Sequence, residues 1–218
     1  MIKVENIDVF NFEGAIRGMR NPMNSWDKSD SKKSSHAPND WIIGKNDLNL
    51  MRTLYNAGSE HRKYLRQIFV SMDITAPLYW WKEFDTYKIG TTADSCSTMH
   101  KIHAKEFELD DFSHEHLSYE DNCLYFLDQT VDVLNQCRDL YLETKDKKWW
   151  WQMIQLLPSS YNQRRTVTMN YENVVTMIRQ RTGHKLDEWR EFVVILKDLP
   201  YVKNIMNAMG EAKNETNI

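Results

Sequence analysis

The segment LLPSSYNQRRTVTMNYENVVTMIRQRTGHKLDEWREF, from Leu156 to Phe192, decides the fold. From Tyr161 to Asn170 its residues alternate and include several β-branched side chains, which predicts a strand. Asn170 is suited to cap a helix with an apolar stripe of valine, methionine and isoleucine, and Gly183 is suited to end it. The segment therefore predicts a strand that feeds directly into a capped helix.

Upstream of this segment the pattern alternates between strands and helices. MIKVENIDVF and QIFVSMDI have the spacing of strands. NDLNLMRTLYNAG predicts a helix capped by Asn46 or Asp47, and PLYWWKEFDTYK predicts one that starts at Pro77. Residues 18–40 are rich in polar residues and are predicted to form a long loop.

The remaining segments are mostly helical. IGTTADSCST has the character of a loop, whereas 118–143 and KKWWWQMIQLLP have helical spacing. LDEWREFVVILKDLPY predicts a last helix, and residues 208–218 form a polar tail. We predict one helix-dominated α+β domain over residues 1–218, with a small mixed or antiparallel sheet.

Composition excludes several classes of protein. Apolar residues make up 41% of the 218 positions and the net charge is -3, so no basic excess points to nucleic acid. No apolar run is long enough to span a membrane, and no export signal is visible. The three cysteines have no CxxC spacing. A disulfide framework and a thiolate zinc site are therefore not expected, and the cytoplasm is the predicted location.

The chain resembles the flavin-dependent thymidylate synthases in colinear order over most of its length. The C-terminal block of that family is matched by Leu157-Pro158, Asn170, Arg181, His184 and Glu188-Trp189. LRQIFVSMDITAPLYWWKEFDTYK is similar to the family segment in which a strand, often followed by Ala-Pro, feeds a helix. The resemblance implies the family's fold, a homotetramer, a flavin (FAD) and a uracil nucleotide in a pocket shared between subunits.

The signature motif of the family, RHRxxSxNxxSxRY, is not intact here. Laid over this chain, it falls on Thr86, Tyr87, Lys88, Thr91, Ala93, Cys96, Thr98 and Met99. Both arginines of the triplet have changed, and the late arginine has become Thr98. The family's flavin-facing glutamate falls on Arg66, so an acid has become a base.

The resemblance also implies roles for individual residues. Asn170 and His184 are expected near the flavin, and Arg181 near the nucleotide. Tyr87 and Lys88 occupy signature positions and are expected to border the cofactor, as is Arg66, at the position of the flavin-facing glutamate. No catalytic residue follows from the resemblance.

Arg164 and Arg165 are candidates for the nucleotide phosphate because guanidinium groups bind phosphate oxygens in pairs. They precede a helix start, whose free amides also suit an anion. The alternative is a solvated or salt-bridged strand face. Lys82 and Glu83 could hold a pyrimidine edge and a phosphate, or could simply be exposed.

The aromatic residues also allow two interpretations. Trp80 and Trp81 could stack on a flat ligand, although packing against the preceding strand is the better interpretation. Trp149, Trp150 and Trp151 point in three directions of a helix, so at least one lies at the surface or a subunit contact. This pattern favours a homo-oligomer.

Two further candidates for chemistry are weaker. Cys96 could attack C6 of a pyrimidine if its thiolate were stabilised, but a lone cysteine is more often inert. His100 and His103 are three residues apart on a predicted helix, a spacing that permits a metal. Because no acidic partner accompanies them, no metal site is predicted.

These observations lead to two functional hypotheses. In the first, the resemblance implies an enzyme that moves a one-carbon unit from methylenetetrahydrofolate to C5 of dUMP or a related nucleotide, with reduced flavin as the hydride source. In the second, the protein is a catalytically inactive or regulatory nucleotide-binding homologue. The altered positions Thr86, Thr98 and Arg66 favour the second.

Overall fold

The computed structural model describes residues 2–35 and 41–207, so the predicted tail at 208–218 lies outside the described residues. Helices dominate, as predicted. The α-helices are α1 Phe12–Arg20, α2 Lys45–Asn56, α3 Leu78–Phe84, α4 Cys123–Thr144, α5 Lys147–Leu156, α6 Tyr171–Arg181, α7 Asp187–Asp198 and α8 Val202–Met206. Three-residue and five-residue 3-10 turns connect several of them.

The strands form a small sheet and a two-stranded ribbon. Their bounds are β1 Lys3–Phe10, β2 Lys32–Lys33, β3 Trp41–Ile42, β4 Phe69–Pro77, β5 Thr91–Ser95 and β6 Asn162–Asn170. The sheet has the order β1-β4-β6-β5, and β2 pairs with β3 in antiparallel register. Helix-rich content with one small sheet confirms the predicted fold class.

The chain divides into two compact units, each assembled from separate segments. We call residues 2–5, 73–86 and 93–166 the hairpin unit, because α4 and α5 pack together there as a helical hairpin. Its core contains buried side chains from both helices and from the segment before them: Ile102, Phe107, Phe112, Leu127, Val131, Leu134, Cys137 and Met153.

The remaining described residues, 6–35, 41–72, 87–92 and 167–207, are called the α6 unit. Helix α6 packs on α7, and α2 packs on α8. The predicted stripe of α6 is buried, since Val174, Met177 and Ile178 are at most 3% exposed. Gly183 ends the helix region with a φ of +75°, as its position predicts.

The predicted loop at 18–40 is wrong in part. Gly18 to Arg20 belong to α1, and two 3-10 turns, Asn21–Met23 and Trp26–Lys28, follow. Residues 36–40 lie outside the described residues. The polar side chains of this segment are used internally, because they surround Asp47, which is fully buried.

Asp47 was one of two predicted caps for α2, but Gly44 occupies that position. The carboxylate of Asp47 is used inside the fold instead: its Oδ1 accepts a hydrogen bond from Arg20 Nε at 2.6 Å, and its Oδ2 accepts from the hydroxyls of Ser29 and Ser31. Asp30 supplies the capping oxygens instead, since it accepts from the backbone amides at the start of α2. Residues 21–35 therefore form a strap bound to α2, which we call the strap.

Three other predictions require correction. Pro77 ends β4 and caps α3 instead of starting it, and α3 ends at Phe84, so Lys88 is not helical. Thr91–Ser95, predicted as loop, is an edge strand. The segment with His100 and His103 forms turns, and within the ranges the structure describes no group of acidic, histidine or cysteine side chains is arranged to hold a metal.

Candidate nucleotide and cofactor site

The junction between β6 and α6 is built around Asn170. This residue is 7% exposed, and its side-chain oxygen accepts a hydrogen bond from the amide of Asn173 at 3.0 Å. The cap predicted from sequence is therefore confirmed. The amide of Tyr171 is also used, because it donates to Ile68 O at 2.9 Å.

The start of α6 is not arranged as a phosphate cradle. Two of its first three amides already have protein acceptors, and the acidic Glu172 lies in the first turn. Glu172 pairs with Arg62 at 2.7 Å. A carboxylate next to a helix N-terminus competes with an anionic ligand for the same positive end of the dipole. An anion is better placed elsewhere in this unit.

A second feature is the turn from Tyr87 to Thr91, which lies along α6. Asn173 Nδ2 donates to Ile89 O and to Thr91 Oγ1, both at 2.7 Å. The amide of Asn170 donates to Gly90 O at 3.2 Å. These bonds hold Ile89 in a position where 90% of its surface is exposed.

The C-terminal end of α6 contains a connected group of polar and aromatic side chains. Arg181 Nε donates to the hydroxyl of Tyr87 at 2.9 Å, and that hydroxyl donates to Gln180 at 2.9 Å. The guanidinium carbon lies 4.7 Å from the ring centre of Trp189 and 5.6 Å from that of Tyr87. Two aromatic rings and a hydroxyl thus fix the direction of the guanidinium.

His184 lies beside the same guanidinium. Its Nε2 is 3.2 Å from Arg181 Nη1, and its Nδ1 accepts from the backbone amide of Leu186 at 3.2 Å. The structure therefore brings together Tyr87, Arg181 and His184 at one end of α6, with Asn170 at the other. We call these four residues and Asn173 the α6 cluster.

Lys88 and Arg66 are exposed residues of the same unit. Lys88 follows Tyr87 directly and precedes the pinned turn. Arg66 belongs to the 3-10 helix Lys63–Gln67, which packs against α6. Neither forms an ion pair with a described residue, so both offer positive charge to a ligand.

In the hairpin unit, Arg164 and Arg165 are neighbours on β6 and point to opposite faces of the sheet. Arg164 Nη2 pairs with Asp73 at 2.8 Å, and Thr166 donates to the other oxygen of that carboxylate at 2.6 Å. This arrangement is a salt-bridged strand face, the alternative that the sequence left open. The two arginines cannot grip one phosphate together.

Arg165 is held more tightly than Arg164. Its Nη1 donates to Asp85 at 2.7 Å, its Nε donates to Gln163 at 3.0 Å, and its guanidinium carbon lies 4.2 Å from the ring centre of Trp81. The group is pre-oriented by contacts within its own unit. A phosphate could form two hydrogen bonds with this guanidinium only by displacing Asp85.

Helix α3 carries the tryptophan pair. Trp80 and Trp81 are at most 1% exposed, and Trp81 Nε1 donates to Gln163 O at 2.9 Å, so the interpretation as core packing is confirmed. Lys82 is exposed and Glu83 is half-buried. The amides of Leu78 and Tyr79 donate to Tyr161 O and Ser159 O, so this helix start is not open to an anion either.

Cys96 is exposed and directly follows β5. Its amide donates to Arg164 O at 2.9 Å, and its carbonyl accepts from Gln163 at 2.8 Å, so its main chain continues the pairing with β6. Trp151 is 46% exposed, so at least one residue of the Trp149–Trp151 run lies at the surface, as predicted.

Sequence reasoning missed three residues that shape this site: Asn173, Gly90 and Trp189. Asn173 lies three positions after the cap, where a polar side chain often completes a capping pair, and that spacing was a usable signal. Gly90 is a glycine between the signature triplet and Thr91. Trp189 was noticed only as part of the C-terminal block, and its contact with Arg181 depends on how α7 packs on α6.

No family model and no curated protein matches the chain. Solved structures do match. A crystal structure of flavin-dependent thymidylate synthase ThyX from Helicobacter pylori complexed with FAD and dUMP covers 94% of this chain and 98% of its own, with 18% identity and a TM-score of 0.68. A second structure of that protein with FAD and dUMP covers 95% and 100%, with 18% identity and a TM-score of 0.67. The chain therefore has the flavin-dependent thymidylate synthase fold, which confirms the fold expected from the resemblance. No helix among the described residues is long and apolar enough to cross a membrane.

Proposed function

We propose that this protein binds a pyrimidine deoxynucleotide together with FAD through the α6 cluster. The finer proposal is that it transfers a one-carbon unit from methylenetetrahydrofolate to C5 of dUMP or a related nucleotide, as a cytoplasmic homotetramer of one-domain subunits. The fold likeness over almost the whole chain, to a protein solved with FAD and dUMP, supports this proposal.

One observation carries the proposal: the guanidinium of Arg181 is held in a fixed direction by the Tyr87 hydroxyl, the Trp189 ring and the neighbouring His184. A guanidinium stacked on two rings keeps its charge while its orientation is fixed before a ligand arrives. Preorganised donors of this kind lose little entropy on binding. The role proposed for Arg181 is to bind the nucleotide.

The other residues of the α6 unit fit a flavin by the chemistry of their side chains. Asn170, His184 and Lys88 carry donors for ring carbonyls, Tyr87 offers an aromatic surface, and Arg66 adds positive charge for a pyrophosphate. FAD, when bound, would supply the redox chemistry of the reaction. The chain's own residues would orient it and exclude water.

The nucleotide contacts proposed in the hairpin unit require a rearrangement. Lys82 is exposed and can meet a phosphate directly, and Glu83 can accept from a pyrimidine N–H. Only one of Arg164 and Arg165 could meet a given phosphate, and it must first exchange its carboxylate partner, Asp73 or Asp85, for phosphate oxygens. Arg181 is therefore the primary nucleotide-binding residue of the proposal, and Arg164 and Arg165 are the less favoured candidates.

A second function, a catalytically inactive or regulatory nucleotide-binding protein, is favoured by a specific observation. The signature positions Thr86 and Thr98 lack guanidinium groups, and the two arginines that were candidates for the phosphate, Arg164 and Arg165, are bound to Asp73 and Asp85. Loss of cationic contacts lowers phosphate affinity and transition-state stabilisation more than it changes the fold.

Purified protein distinguishes these functions in two steps. The visible absorbance of oxidised flavin, or a rise in melting temperature on addition of FAD, supports flavin binding, because a ligand that binds only the native state must stabilise it. Colourless protein whose melting temperature is unchanged by FAD and by dUMP would overturn the proposal. Stabilisation by dUMP without any effect of FAD would identify the second function.

The role of Arg181 is tested with Arg181→Ala, and Arg179→Ala on the same helix is the matched control. We expect Arg181→Ala to weaken dUMP binding by roughly tenfold to a hundredfold, since a hydrogen bond to a charged group contributes about 1.5–3 kcal/mol. Arg179 stacks on Tyr55 and lies outside the cluster, so its substitution should leave dUMP affinity unchanged. Equal affinity for both variants would show that the assignment is wrong.

A further inference from the structure

The α6 unit contains a cavity that is separate from the α6 cluster. Its volume is about 460 Å³, within the range of small-molecule sites. Its walls come from β1, the starts of α1 and α8, and β3, and they are formed by Ile7, Asp8, Val9, Phe12, Trp41, Pro200, Tyr201 and Asn204. None of these residues belongs to the proposed flavin and nucleotide site.

The aromatic walls of this cavity are fixed by hydrogen bonds and ring contacts. The hydroxyl of Tyr201 donates to Trp41 O at 3.0 Å and accepts from the amide of Ile43 at 3.1 Å. The rings of Phe12 and Tyr201 meet edge to face, with centroids 5.6 Å apart. Tyr201 therefore ties β3 to α1 and holds three aromatic residues around one space.

The backbone around the cavity adopts uncommon conformations. Tyr201 has a φ of +63°, and Asn6 and Asn11, which flank the lining residues of β1 and α1, have φ values of +52° and +70°. Such conformations cost about 1–3 kcal/mol each for residues with side chains, and they concentrate at binding sites. For a tyrosine the cost is higher than for an asparagine, which tolerates this region.

The polar groups of the cavity select the ligand chemistry. Asp8 is an exposed carboxylate, and no residue in 2–35 or 41–207 forms an ion pair with it. The surrounding unit has more lysine and arginine than aspartate and glutamate, so an unpaired acid is unusual there. Aromatic faces attract cations through the ring quadrupole, and a carboxylate adds a direct charge interaction.

We propose that this cavity is a binding site for a small organic cation of the alkylammonium class. The aromatic walls of Phe12, Trp41 and Tyr201 would surround the alkyl groups, and Asp8 would balance the charge. The site is independent of the proposed nucleotide function, because it shares no residue with the α6 cluster.

Choline and 3,3-dimethyl-1-butanol form the test pair, because the alcohol is a neutral isostere of the cation. Binding to the full chain is measured by calorimetry and by saturation-transfer NMR. We expect choline to bind at least about tenfold more tightly than the alcohol, since cation–π contacts contribute about 0.5–2 kcal/mol and the carboxylate adds to this. Equal binding of the two, or no binding of choline, would overturn the proposal.

Two variants locate the site. Asp8→Asn keeps the shape of the side chain, removes its charge, and should weaken choline binding by roughly fivefold to tenfold. Asp27→Asn, an exposed position of the same unit that does not line the cavity, is the matched control and should bind choline as the wild type does. Both variants should keep the wild-type response to FAD and dUMP. If Asp8→Asn binds choline unchanged, the cation is not bound in this cavity.

Discussion

At the scale of single residues, the most consequential pair is Arg20 and Asp47. Both side chains are at most 5% exposed and their atoms Nε and Oδ1 are 2.6 Å apart. Burial alone would raise the pKa of Asp47, but hydrogen bonds from Ser31, Ser29 and Arg20, with the charge of Arg20, outweigh it and hold the pKa below the ordinary value of 3.8. The ionised form is therefore the one that the fold requires.

This pair predicts how stability depends on pH. A lowered carboxyl pKa contributes stability above the pKa of the unfolded chain, and that contribution is lost as the pH falls through the lower folded value. We expect Asp47→Asn to reduce the free energy of unfolding by about 3–5 kcal/mol at pH 7, because it leaves a buried guanidinium without its charge partner. The loss should begin to shrink below the ordinary carboxyl pKa of 3.8, where the unfolded chain takes up the proton. It should shrink fully only once the pH has fallen through the lower folded pKa of Asp47.

Urea unfolding at several pH values measures this effect. Asp139→Asn is the control, since Asp139 forms an exposed pair with Arg138 and its side chain is 70% exposed. That change should cost no more than about 1 kcal/mol at any pH. A cost for Asp47→Asn that is equally small would show that the strap at residues 21–35 is not anchored by this carboxylate.

At the scale of elements, the turn from Tyr87 to Thr91 depends on one glycine. Gly90 has a φ of +74°, and a Cβ built on it would lie 2.1 Å from Asn170 Nδ2. Gly183 has almost the same φ, +75°, but nothing lies within 4 Å of the equivalent Cβ. The two glycines therefore separate the conformational cost of a side chain from its steric cost.

We expect Gly183→Ala to cost about 1–2 kcal/mol from the left-handed conformation alone. Gly90→Ala should cost about 1–3 kcal/mol more, because the helix cap must move to make room. Thermal and denaturant unfolding measure both variants, and Gly90→Ala should also weaken FAD binding if the turn borders the flavin. Similar costs for the two would mean that Asn170 moves aside freely.

The elements also show which features a sequence reveals. The helices α4, α5, α6 and α7 and the strands β4 and β6 were predicted because each buries a periodic apolar face. β5 was missed because the residues of TTADS are mostly exposed and have no apolar period; backbone pairing at the sheet edge makes it a strand. Helix α3 was predicted too long because Asp85 and Lys88 are compatible with a helix. Both side chains are exposed, so no buried contact extends the helix beyond Phe84.

The candidate site was predicted unevenly for a related reason. The cap at Asn170 follows from local spacing, so it could be read from sequence. Arg164 and Arg165 have partners 91 and 80 residues away, Asp73 on β4 and Asp85 at the end of α3, and only the tertiary fold brings them together. Arg66 and Lys88 came from the resemblance to a family, and their roles stay predictions.

At the scale of the whole molecule, the two units differ in charge. Basic residues outnumber acidic ones in the α6 unit, and the reverse holds in the hairpin unit, although the net charge of the chain is only -3. A small net charge therefore conceals a unit that attracts anions. Such fields raise the rate and affinity with which charged ligands bind, and salt weakens both.

This asymmetry predicts that binding of dUMP depends on salt. Raising the ionic strength from about 0.1 M to about 1 M shortens the Debye length from about 10 Å to about 3 Å, so the exposed Lys88 and Arg66 lose most of their effect at a distance. We expect the Kd of dUMP to rise by about tenfold over this range, or about 1.4 kcal/mol. Deoxyuridine, which lacks the phosphate, is the control and should change by less than about twofold. If both ligands respond equally to salt, the phosphate is not bound in the basic unit, and Arg181 cannot be its first contact.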